Sequence, residues 1–202
     1  MSRNFVVLSK TSPMPLYAEP EARDSASYEP GEFASLIRTL FAGPAAVAII
    51  GCGVPGGASP IAERLAAELG ASGKRVALVA VRKVLETNPA GAPDEADMTP
   101  GNSPSVWLWP APGAAKIEFF RPSNEGRAGK WLHALRQSFD AVVLDCPEVS
   151  EEPNVTEVAA MADAVVLAVE AGLTTKEQLH RDHQTLQKRG ARIAGSILAK
   201  RS

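Results

Sequence analysis

The chain has 202 residues, 45% of them hydrophobic and 22% charged, and a formal net charge of −2. That length suffices for one domain with its own core, and the near-neutral balance gives no general attraction to nucleic acid or anionic lipid. No apolar run reaches the ~18–20 residues of a membrane span, and the apolar stretch in MSRNFVVLSK is too short for a secretory signal. A cytoplasmic protein is therefore expected, with its two cysteines, Cys52 and Cys146, reduced.

Residues 1–10 carry Phe5, Val6, Val7 and Leu8, and an edge strand is expected there. Residues 11–31 are rich in Pro, Glu and Ser, a composition that favours a surface arm over core. The expected organisation is an extended or mobile arm over residues 1–31 and a single α/β domain over 32–202. Glu32–Phe41, EFASLIRTLF, reads as a short helix with Phe33, Leu36, Ile37, Leu40 and Phe41 on its apolar side. The wholly apolar run Ala45–Ile50 is a strand buried on both faces.

A glycine-rich turn follows at once: Gly51, Gly53, Gly56 and Gly57 surround Pro55. Ser59-Pro60 then predicts a helix start, with Ser59 capping free N–H groups and Pro60 at the first helical position. Ile61, Ala62, Leu65, Ala66 and Leu69 form one helix face, Gly73 ends the helix, and Val76–Val81 is the next strand. A glycine loop between a strand and a helix N-terminus is a phosphate cradle, because loop N–H groups and the helix dipole both favour an anion. The P-loop pattern G-x-x-x-x-G-K-[ST] places a lysine after the second glycine. Here Gly57 is followed by Ala58 and Ser59, and Pro60 removes one further donor.

The proline-rich stretch 86–104 reads as loop, and Val106–Trp109 and Lys116–Phe120 as short strands. Trp107 and Trp109 share one face of an extended segment, where they either cover the sheet edge or line a ligand or partner surface. Gly126–Ser138 is a helix with Ala128, Trp131, Leu132 and Leu135 on one face, continued by Phe139. Ala141–Leu144 is a strand ending in Asp145-Cys146-Pro147, Pro153–Met161 a helix, and Ala164–Val169 a strand. Thr174–Arg189 is a charged surface helix, Gly190 ends it, and Arg192–Leu198 is the last strand. Apolar strands alternating with helices give an α/β fold: three layers, a mostly parallel sheet with helices on both faces.

Other reactive side chains have plainer readings. Cys52 and Cys146 each follow a strand and read as packed thiols, with a redox pair as the alternative; two cysteines without further ligands are a poor zinc site. His133, His180 and His183 lie on helices and read as surface residues. Tyr17 and Tyr28 sit in the arm, where a partner kinase would reach them.

Four stretches together resemble the cytoplasmic catalytic domain of bacterial tyrosine kinases, members of the MinD/ParA-like P-loop proteins that act with exopolysaccharide chain-length regulators. EFASLIRTLF resembles the family's E-x-x-R-x-x-R assembly helix, with Glu32 and Arg38 in place and Ser35 at the middle arginine. GCGVPGGASPIAERLAAELGASGKRVALVAV resembles the Walker A loop, helix and next strand. FDAVVLDCPEV resembles the Walker B segment, with Asp145 at its aspartate. ADAVVLAVEAGLTTKEQLHRDHQTLQKRGARIAGSILAKR resembles the C-terminal strand–helix–strand. The departures fall on the chemistry: Ala58 stands at the Walker A lysine, Pro60 at the following threonine, and the loop is one residue short. The family's D-x-D-x-R motif aligns with Ala80-Val81-Arg82-Lys83-Val84, so both aspartates are lost, and the tyrosine-rich tail has no counterpart.

The resemblance implies a remnant nucleotide site of Gly53, Pro55, Gly56, Gly57, Ala58, Ser59 and Asp145, with Arg82 or Lys83 as candidate substitute cations. Asp145 either serves Mg²⁺ or caps loop N–H groups. Phosphoryl transfer needs positioned Mg²⁺ and cations, so no catalytic residue, metal or cofactor is expected. The expected function is a catalytically inactive, tyrosine-kinase-like protein. It would work by contact with exopolysaccharide machinery, a membrane chain-length regulator or further copies of itself, through Glu32 and Arg38 among others. The alternative is a switch that binds ATP or ADP, with Mg²⁺, through the remaining cradle.

Overall fold

The computed structural model describes residues 3–9, 33–53, 58–82, 98–101, 103, 105–109 and 125–201, with backbone alone for 3–9, 125–130 and 199–201. Its centre is an eight-stranded sheet in the order β1-β8-β7-β2-β6-β3-β5-β4. The strands are β1 (Arg3–Ser9), β2 (Ala45–Cys52), β3 (Val76–Ala80), β4 (Thr99–Pro100), β5 (Val106–Trp109), β6 (Ala141–Cys146), β7 (Ala164–Glu170) and β8 (Ile193–Arg201). The helices are α1 (Ala34–Leu40), α2 (Ser59–Ala71), α3 (Glu125–Ser138), α4 (Val155–Met161) and α5 (Lys176–Lys188). The six inner strands run parallel, while β1 and β4 lie antiparallel at the two edges. This is the three-layer α/β architecture that the alternating apolar strands predict.

β2 shows why the layers form. All eight of its residues are buried, since β6 and β7 flank it and helices cover both faces. The period-two alternation of a strand sends Ala46, Ala48, Ile50 and Cys52 into one apolar layer and Val47 and Ile49 into the other. The first layer holds Trp131, Leu132 and Leu135 of α3, Val155 and Val158 of α4, and Leu186 of α5. The second holds Phe33, Leu36 and Phe41 around α1, and Ile61, Ala62, Leu65, Ala66 and Leu69 of α2. Each fully buried Leu or Ile contributes about 1.5–3 kcal/mol.

Several expectations change. Thr99–Pro100 falls in the stretch read as loop, yet it is a strand, because β5 offers it an open edge. Trp109 is not at a ligand surface: it is 2% exposed and meets Trp131 at 5.4 Å between ring centroids. Trp107 is partly buried against the same layer. α5 is more than a surface layer, since it buries Leu186 and Asp182. Residues 3–9 do form the expected edge strand, β1 on β8. The strand expected over Lys116–Phe120, and Tyr17 and Tyr28, lie outside the described residues.

The strand N-terminal ends are tied by one carboxylate. Asp163 Oδ2 accepts the Ala46 N–H at 2.7 Å and the Arg136 Nε at 3.0 Å, and Arg136 also donates to the Met161 carbonyl. That knot joins β2, α3 and the turn before β7. Among the described residues, no helix is long and apolar enough to cross a membrane.

Candidate functional site

The site predicted from the glycine loop lies at the C-terminal ends of β2, β3, β6 and β7. β2 leaves the sheet through Gly53, whose φ of +63° favours glycine. A Cβ there would also stand 2.6 Å from Oε1 of Gln178, so α5 closes directly over the start of the loop. Pro55, Gly56 and Gly57 lie outside the described residues. The chain returns at Ala58, which occupies the helix N-cap position of α2.

Ala58 is 0% exposed and belongs to the apolar layer of α1 and α2. The position that carries a lysine in the P-loop pattern is thus part of the core here. Ser59 was expected to cap the helix, but α2 has no side-chain cap. Ser59 lies one residue past the cap position, and its Oγ donates to Asp145 Oδ2 at 2.7 Å. The O–H donates to the carboxylate at the end of β6, a charge-assisted hydrogen bond of about twice the usual strength. Asp145 is therefore met by a side chain 86 positions away in sequence.

The candidate substitute cations are placed differently. Arg82 follows β3 and forms an ion pair with Glu151, beyond β6, with both side chains about half exposed. Its charge is matched by that acid. Lys83 and Glu32 lie outside the described residues, and Arg38 is exposed in the last turn of α1.

Cys52 and Cys146 are buried free thiols on the paired strands β2 and β6. Cys146 stands opposite Ile50, so Cys52 lies two residues further along. Burial pushes both thiols far up, with Asp182 adding to the effect at Cys52 and Asp145 at Cys146. They stay protonated, as structural thiols do, which removes support for a redox pair. His133 and His180 are exposed, and His180 Nε2 meets Gln184 Nε2 at 2.9 Å. His183 is half-buried and lines a cleft of about 450 Å³ with Thr39, Asp163 and Arg192, at the opposite end of the strands.

The sequence reading missed the acids around α5. Glu148, Glu170 and Asp182 are 9%, 1% and 7% exposed. Thr174 Oγ1 donates to the Cys52 carbonyl at 2.5 Å and accepts the Glu170 N–H at 2.9 Å, fixing the turn between β7 and α5 onto the end of β2. A signal existed for Asp182: with Leu179 and Leu186 it follows the helical spacing of the inner stripe of α5.

The described residues at these strand ends offer little positive charge to a triphosphate. The lysine position is a buried methyl group, the described arginine at the crevice is paired, and the other charges named at these strand ends are carboxylates. Among the described residues, no group of three His, Cys, Asp or Glu side chains is placed to hold a metal ion.

No protein-family model matches the sequence, and no curated protein matches it. Solved structures do match. The kinase domain of the Escherichia coli tyrosine kinase ETK superposes with a TM-score of 0.64 at 17% identity, over 82% of this chain and 71% of that one. The VpsO kinase domain gives 0.61 at 17% identity, over 85% and 90%. The MinC:MinD cell division complex of Aquifex aeolicus gives 0.55 at 16% identity, over 74% and 66%. The chain therefore has the P-loop NTPase-like fold shared by bacterial tyrosine kinase domains and MinD-type ATPases.

Proposed function

We propose that this protein is a tyrosine-kinase-like domain that has given up phosphoryl transfer and works by protein–protein contact in exopolysaccharide synthesis or export. The observation that supports this most is Ala58, wholly buried at the point where the fold's chemistry needs a lysine. Transition-state charge in phosphoryl transfer is stabilised by such cations and by Mg²⁺. Losing one stabilising donor costs about 10²–10³-fold in comparable electrostatic sites. The ion pair of Arg82 with Glu151 supports the same reading, because it matches the charge of a candidate substitute cation.

The pathway and the partner are proposed by analogy with bacterial tyrosine kinases, which act with chain-length regulators. Contact through α1, including Arg38, and through residues 86–113 is part of the proposal, as is a single domain over residues 32–202. A second reading, weak binding of ATP or ADP, draws on the Ser59–Asp145 hydrogen bond, which keeps the Walker A and Walker B segments joined. Titration with Mg-ATP separates the two readings: absence of saturable binding supports the first, and micromolar binding overturns it.

A further inference from the structure

Asp182 projects from the inner face of α5, and its Oδ2 is buried without a hydrogen-bond partner. The Cys52 thiol on β2 is its hydrogen-bonding neighbour, and Glu148, after β6, bears on it as a like charge. The thiol's hydrogen bond, and to a smaller extent the exposed Arg181 beside it on α5, favour the charged form and offset part of this. α4 and β8 bring Val155, Val158, Ala159 and Leu198 to the same layer. Burial disfavours the ionised carboxylate in such surroundings more than the neutral acid. Burial first, and then Glu148, raise the Asp182 carboxyl above its usual 3.8. Protonation removes the charge from this buried oxygen, which is the part of its burial that costs most.

The same helix face carries Gln178, four residues earlier, whose side chain reaches Gly53 at the mouth of the glycine loop. We propose that Asp182 is a proton-operated latch. Neutral, it lets α5 seat on β2 and holds Gln178 over Gly53; ionised beside Glu148, it loosens α5 from the start of the loop. This holds whether or not the loop binds a nucleotide. Because the carboxyl is raised in the folded state, its stabilisation is complete below about pH 3.8 and is lost as pH rises through the folded value.

Hydrogen-exchange protection factors for the α5 amides, measured from pH 4 to 8.5, test the latch. Protection in the unaltered chain is expected to fall with pH by up to about tenfold per unit, the limit for one proton. Asp182→Asn is expected to abolish that fall, and Glu148→Gln to shrink it by removing the like charge. A pH-independent α5 in the unaltered chain, or an undiminished fall in Asp182→Asn, overturns the proposal. Should Asp182→Asn not fold, an undiminished fall in Glu148→Gln does the same.

Discussion

A carboxylate accepts hydrogen bonds at each end of the strands around β2, yet the two ends are built to different standards. At its start, Asp163 gathers the Ala46 N–H and the Arg136 guanidinium, so charge, donor and acceptor are matched. At its far end, Asp145 takes the Ser59 hydroxyl, but Ala58 offers no charge, Arg82 is spent on Glu151, and the Asp182 Oδ2 is an orphan. One end is finished as structure. The other keeps the frame of an anion site while its described charges favour acids over bases, which is the wrong sign for polyphosphate.

Substitutions probe this contrast, beginning where the effect is greatest. Asp163→Ala strands a buried strand N–H and an arginine, and the half-exposed carboxylate limits the cost to about 2 kcal/mol in denaturant unfolding. A smaller loss would mean that the first end is not the better made one. Ser59→Ala removes one side-chain hydrogen bond to a charged partner and is expected to cost about 1.5 kcal/mol by the same measurement. If it cost more than Asp163→Ala, the ranking of the two ends would reverse. Arg82→Ala breaks a solvent-exposed ion pair, and its effect on stability should stay below about 0.5 kcal/mol. Should it instead cost as much as Ser59→Ala, Arg82 would be a structural element of the crevice.

Much of the first level of this fold was legible in the chain. Ala45–Ile50, Ala141–Leu144 and Ala164–Val169 are uninterrupted apolar runs, and only strands covered on both sides use such runs at that length. The stripe of α2 and the turn at Gly73, with φ +87°, follow from local rules. What was missed depends on partners distant in sequence. Thr99–Pro100 becomes a strand only because β5 passes beside it. Ser59 reads as a cap until Asp145 arrives from β6. Asp182 reads as solvated charge until α5 is laid on β2, when burial makes it the oddest side chain in the helix. That Ala58 follows the second glycine, where the P-loop pattern has lysine, was plain in the chain, and the structure adds that its methyl group is packed in the core.

The central claim is that this frame no longer grips a triphosphate, and calorimetric titration of the purified chain with Mg-ATP meets it head-on. The account predicts no saturable heat up to nucleotide concentrations on the order of 1 mM, which corresponds to a binding free energy weaker than about −4 kcal/mol. Saturation in the micromolar range, abolished by Ser59→Ala, would contradict it.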